Sequence, residues 1–105
     1  MKYDTTYFIQ DVIRALKHKE SYYLKAGMTG DFDLIHIVID SERVFEEANL
    51  TDRQKQVTEL YWMGDLTLSE VGKTLGISHQ AVADSVEQSK AKLQKVLNKW
   101  KGQQE

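Results

Sequence analysis

Apolar residues recur every three or four positions through most of this chain, a spacing that predicts helices. The pattern is clearest from Leu66 to Leu93, LTLSEVGKTLGISHQAVADSVEQSKAKL, which reads as a helix-turn-helix with a long second helix. Thr67 and Glu70 have the spacing of a capping box, so the first helix starts at Thr67, with Leu66 and Val71 as a hydrophobic staple. Gly76 in LGIS ends that helix, because glycine takes the left-handed conformation a tight exit needs. Ser78 caps the next helix, with Ile77 and Val82 as a second staple. Val71, Leu75, Ile77, Val82 and Val86 form the seam between the two helices, and Gly72 faces it where a small residue permits close approach. A helix pair with so short a turn is a common structural unit, so the spacing alone also fits two core helices meeting at a corner.

Upstream, Asp4 to Lys25 reads as a first helix, with Phe8, Val12, Leu16 and Tyr23 near helical spacing and Asp4 or Thr5 as cap. Arg14, Lys17, His18 and Lys19 read as a solvated face, and Tyr22-Tyr23 as core edge rather than a base-stacking platform. GMTG, residues 27–30, reads as a loop punctuated by two glycines. Asp31 then caps a second helix, Phe32 to Asn49. Its IHIVI run, residues 35–39, also fits a strand paired with residues 22–26, but a lone hairpin is marginal, and the following SERVFEEAN is helical in character. Leu50 to Gly64 is a third helix, with a Thr51/Gln54 capping box, Val57, Leu60 and Tyr61 facing inward, and Gly64 as the residue that ends it. After Ser78 one helix runs to about Lys99. Its stripe of Val82, Val86, Ser89, Leu93, Val96 and Trp100 is spaced 4-3-4-3-4. A stripe that long must be covered, either by the N-terminal helices of the same chain or by those of a second copy. The expected fold is therefore all-α with about five helices: an N-terminal helical region over residues 1–49 for packing or dimerisation, a helix-turn-helix domain over 50–100, and a frayed tail over 101–105.

Composition narrows the function. The 105 residues suit one domain, and the absence of cysteine excludes disulfides and thiolate metal sites. No apolar run approaches the ~20 residues of a membrane helix, and MKYDTTYFIQDV lacks a signal-peptide core, so a soluble cytoplasmic protein is expected. No phosphate loop, nucleophile elbow, paired catalytic carboxylates or histidine cluster is present. The chain is expected to be neither an enzyme nor a holder of cofactor or metal; His36 has no second ligand at metal-binding spacing. The formal net charge of −2 argues against indiscriminate nucleic-acid binding. Its distribution is uneven: residues 1–50 hold 6 Lys/Arg against 9 Asp/Glu, residues 51–77 hold 3 against 4, and residues 78–105 hold 5 against 3. The only net-basic third begins at the second helix of the motif.

The stretch LTDRQKQVTELYWMGDLTLSEVGKTLGISHQAVADSVEQSKAKLQKVL, Leu50 to Leu97, resembles region four of bacterial sigma factors. The most specific parts are LTDRQ at a helix start, LSEVGKTLGIS across the turn, and the long helix that follows. DFDLIHIVIDSERVFEEANLTDRQ resembles the lead-in of small sigma-like proteins of Gram-positive phages and prophages. The resemblance implies a helix-turn-helix domain that recognises a promoter hexamer and contacts RNA polymerase. The sigma region that melts promoters has no counterpart in this length of chain, so a complete sigma factor is not implied. Extracytoplasmic-type family members carry basic residues along the recognition helix, where this chain has Ala83, Ser85 and Gln88 beside Asp84 and Glu87. Small sigma-four-like proteins associated with the signal recognition particle share a similar SxQAV helix start, so the fold also serves away from promoters.

If double-stranded DNA is the partner, the second motif helix enters the major groove N-terminus first. The base-reading candidates are Ser78, His79, Gln80, Ala83, Asp84, Glu87 and Gln88. Gln80 suits adenine, His79 can donate to guanine, and Asp84 can accept from a cytosine amino group. Arg53, Thr67, Lys73 and Lys90 are the phosphate candidates, with the helix start at Thr67 offering backbone amides. The alternative is an interaction module of the same fold that binds RNA polymerase or another regulator without specific DNA contact. A homodimer is expected, since many helix-turn-helix proteins bind paired half-sites.

Overall fold

The computed structural model describes residues 8–102, and all regular structure among them is helical. The elements are α1 (Ile9–Lys17), α2 (Lys19–Thr29), α3 (Asp33–Glu47), α4 (Asp52–Thr58) continuing into a π-helical turn (Glu59–Met63), α5 (Leu68–Leu75) and α6 (His79–Gly102). The alternative strand pairing of residues 22–26 with 35–39 does not form; both segments are helical, as favoured from the sequence. No helix among the described residues is long and apolar enough to cross a membrane.

The N-terminal half departs most from expectation. The anticipated single helix from Asp4 to Lys25 is two helices, broken at His18, where φ is −117° and ψ is 29°. The proposed caps Asp4 and Thr5 lie outside the described residues. No glycine or proline marks the break. Its cause is tertiary: α1 packs on α3 and the core, while α2 turns to run along α3. The expected loop at residues 27–30 is mostly helix, and only Gly30 is left-handed, at φ 74°. Asp31 acts two residues before the helix proper, its carboxylate accepting the Asp33 N–H at 3.1 Å.

Both expected capping boxes form. Thr51 Oγ1 accepts the Gln54 N–H at 3.1 Å while Gln54 Oε1 accepts the Thr51 N–H at 3.0 Å. Thr67 and Glu70 exchange the same pair at 3.1 and 3.0 Å. The helix expected from Leu50 to Gly64 does not stay α-helical. The Gly64 N–H reaches back five residues to the Glu59 carbonyl at 2.8 Å. That wider turn rotates the side chains: Trp62 is buried, whereas Leu60 and Tyr61 are only half-buried. Nor is Gly64 left-handed, as a helix-ending glycine would be; that conformation falls on Asp65, at φ 58°. Gly64 is needed for space, since a Cβ there would sit 2.7 Å from the Leu60 carbonyl oxygen.

One core joins both halves. Val12, Leu16 and Val44 share it with Val57, Trp62, Val71, Val82, Val86, Leu93, Val96 and Leu97. The long stripe of α6 is therefore covered within one chain. Its outermost member, Trp100, is half-buried; the indole N–H donates to Glu47 at 2.7 Å, and the Arg43 guanidinium lies 5.1 Å from the ring centre. The helix also runs further than expected, through Lys101 to Gly102, into the segment read as a frayed tail.

Candidate nucleic-acid interface

The turn between α5 and α6 positions the site. Gly76 is left-handed, at φ 70° and ψ 33°, and the Ile77 N–H closes on the Gly72 carbonyl at 2.9 Å. A Cβ on Gly72 would lie 2.8 Å from the Ile77 carbonyl oxygen, so the close approach is to the turn backbone rather than to α6. Ser78 Oγ accepts the Ala81 N–H at 3.1 Å, which starts α6. Val71, Val82 and Val86 are buried, and Leu75 and Ile77 are half-buried. With that seam facing in, the opposite face of the first turns of α6 faces solvent.

On that face His79, Gln80, Asp84, Glu87 and Gln88 are exposed, as is Ser78 at its start; Ala83 is half-buried. These groups already engage neighbours. Gln80 Nε2 donates to Asp84 Oδ1 at 3.0 Å. Glu87 pairs with Lys90 at 3.6 Å. Gln88 Oε1 accepts from Gln54 Nε2 at 3.2 Å. The outward groups of the first turns are thus acceptor-rich: the Asp84 carboxylate and the free Gln80 carbonyl oxygen.

Of the phosphate candidates, Arg53, Thr67 and Lys73 are exposed and Lys90 is half-buried. Thr67 and Lys90 line one groove of about 490 Å³ together with Lys17 and Asp65. Arg53 on α4 and Lys73 on α5 stand outside it. The start of α5 is not a vacant anion site, because the Glu70 carboxylate occupies the Thr67 N–H. That backbone hydrogen bond, with the Thr67 side chain, holds the Glu70 carboxyl below its ordinary 4.5. Nearby, Lys17 binds Asp65 at 2.9 Å, and its hydrogen bond and charge hold Asp65 below its ordinary 3.8.

Sequence reasoning missed the residue that ties α4 to α6. Gln54, read only as half of a capping box, is buried. Its Oε1 also accepts from Lys92 Nζ at 2.7 Å, while its Nε2 holds Gln88. One side chain thus caps α4 and fixes α6 at two points a turn apart. The partners are 34 and 38 residues away, and no local pattern signals them.

A family model described as "Putative helix-turn-helix protein, YlxM / p13 like" matches residues 43–103. The chain belongs to this family, UPF0122. The match begins within α3 and takes in α4, the π turn, α5 and α6. Among similar members are a UPF0122 protein of Thermoanaerobacter sp. (strain X514), 33% identical over 67 residues, and one of Malacoplasma penetrans, 37% identical over 71 residues. These alignments cover 64% and 68% of this chain, and 54% and 63% of the relatives. A Streptococcus gordonii member is 40% identical over 45 residues, 43% of this chain and 41% of its own. The chain thus spans roughly half the length of the first of these relatives. No solved structure matches.

Proposed function

We propose that this chain is a sequence-specific DNA-binding transcription regulator that acts at promoters through α5 and α6, in the manner of the sigma region-four module it resembles and without being a complete sigma factor. One observation carries the reading: the exposed row His79, Gln80, Asp84 and Glu87 stands on the solvent side of a helix whose position is set by the motif's own turn. On this reading α6 enters the major groove with its first turns. Asp84 and the Gln80 carbonyl oxygen accept from the amino groups of cytosine or adenine, and His79 donates to guanine. Arg53, Lys73 and Lys90 hold the backbone, while Thr67, engaged by Glu70, does not, and two copies acting together present two such helices to paired half-sites. The work is cytoplasmic, with RNA polymerase as a protein partner.

The carboxylates of Asp84 and Glu87 support a second reading, in which the same face binds a basic surface of RNA polymerase or another regulator and makes no specific DNA contact. Phosphate attraction dominates DNA affinity, and acids on the reading face oppose it. Fluorescence anisotropy of labelled random duplex, titrated with the full chain at about 50 and 200 mM salt, separates the two. DNA binding in which the three cations Arg53, Lys73 and Lys90 each neutralise a phosphate predicts roughly 40-fold weaker affinity at the higher salt. Absence of binding at micromolar protein in low salt overturns the first reading in favour of the second.

A further inference from the structure

The side-chain amide of Gln88 has one orientation open to it, and buried Gln54 decides which. Gln54 Oε1 accepts from the Thr51 N–H at 3.0 Å and from Lys92 Nζ at 2.7 Å. A backbone N–H and an ammonium can only donate, so the atom they share must be the amide oxygen. The other end of the Gln54 amide is therefore its NH2 group, and the Gln88 atom 3.2 Å away must be an oxygen. That leaves the Gln88 NH2 group, with its two protons, without a hydrogen-bond partner among the described residues.

Gln80, Asp84 and Gln88 are four residues apart and all exposed, so they stand in one strip along the outer face of α6. The Gln80 NH2 group is engaged by Asp84 Oδ1 at 3.0 Å, so the first two members of the strip present acceptors. Gln88 ends the strip with the opposite polarity. A free glutamine suits adenine because it offers N6 an acceptor and N7 a donor side by side. Gln88 cannot do so, since its oxygen is held by Gln54. Its protons match guanine instead, whose O6 and N7 both accept; in the major groove adenine and thymine offer one acceptor each and cytosine none.

We infer that Gln88 is a specificity-determining residue that reads guanine, and that Gln54 is the positioning residue that makes it a donor. The inference rests on the DNA-binding reading and adds to it a base and the relay that selects it, from Thr51 and Lys92 through Gln54 to Gln88. A Gln54–Gln88 contact that served packing alone would leave base choice unmoved when the amide is reversed.

The test is selection of sites from a random duplex library by the full chain, followed by anisotropy titration of the selected site and its single-base variants. Wild type should prefer guanine at one position by roughly 5-fold or more. Gln54→Glu keeps the capping box with Thr51 and pairs with Lys92, but has no proton to donate. Gln88 must then turn its NH2 group inward and its oxygen outward. Preference at that position alone should move to cytosine or adenine, whose amino groups donate. Gln88→Glu, at an exposed position, also presents acceptors and should make the same switch, should Gln54→Glu impair folding. A wild type that binds no duplex DNA overturns the DNA-binding reading and this assignment together. A wild type that binds DNA, while both folded variants keep its base preferences or weaken every sequence equally, overturns the assignment alone. A switch by Gln88→Glu that folded Gln54→Glu does not reproduce overturns the role of Gln54.

Discussion

Gly72→Ala tests whether α5 and the turn are packed as described. In a helix interior this change is normally stabilising, by about 1 kcal/mol, because alanine loses less backbone freedom than glycine. Here the new Cβ would stand 2.8 Å from the Ile77 carbonyl oxygen. The obstacle is backbone, in a turn closed by the Ile77 N–H to Gly72 carbonyl bond at 2.9 Å, so it cannot swing aside as a side chain would. Overpacking of this kind costs about 1–3 kcal/mol. Set against the gain of about 1 kcal/mol, the net expectation is a loss of up to about 2 kcal/mol, or up to roughly 15 °C of melting temperature for a domain of this size. Thermal melts by circular dichroism at one fixed protein concentration read it directly. Two further glycines calibrate the result. Gly27 lies in α2, and a methyl group added there would meet nothing within 4 Å, so Gly27→Ala should raise the melting temperature. Gly76 also has open space but a φ of +70°, so Gly76→Ala should cost about 1 kcal/mol through conformation alone, and the β-branched Gly76→Val more. A rise in melting temperature for Gly72→Ala, like that of Gly27→Ala, would refute the close approach.

Two other predictions address the interface and its support. Val86→Ala should cost roughly 1–3 kcal/mol, whereas Gln80→Ala should stay within about 0.5 kcal/mol, because only the first removes buried volume; equal large losses in chemical denaturation would contradict the assigned faces. The Glu70 carboxyl is held below 4.5 in the folded chain, so its stabilisation is complete above that pH and is lost as pH falls through the folded value. Glu70→Gln keeps an acceptor for the Thr67 N–H but does not titrate. Its melting temperature should therefore fall less steeply than that of wild type below pH 4.5, and parallel curves would remove Glu70 from the acid response.

What could be read from sequence was local. Both capping boxes, the Gly76 turn and the Ser78 cap rest on contacts within a few residues, and each is present. The α6 stripe was legible because one helix repeats the same spacing for about five turns. The break at His18 was not, because no residue there disfavours helix and the bend comes from how α2 meets α3. The π turn was equally hidden: one extra residue per turn is a packing outcome, and it exchanged Tyr61 for Trp62 in the core. For the interface, the exposed row followed from periodicity. The Gln80–Asp84 and Glu87–Lys90 pairs lie at helical spacings and were open to anticipation. The hold of Gln54 on Gln88 and Lys92 was not, since it joins helices distant in the chain.

The shared core has a practical consequence for anyone who would move the motif elsewhere. Val12, Leu16 and Val44 lie in the same cluster as Leu93, Val96 and Leu97. A fragment cut at Leu50 would keep the capping boxes, the turn and the whole reading face, yet carry the outer half of α6 with its greasy side wet. Such a graft would be expected to stick to itself or to its host, and to need either its own roof of α1 and α3 or polar replacements at positions 93, 96 and 97. The transferable unit is therefore larger than the segment that would touch DNA.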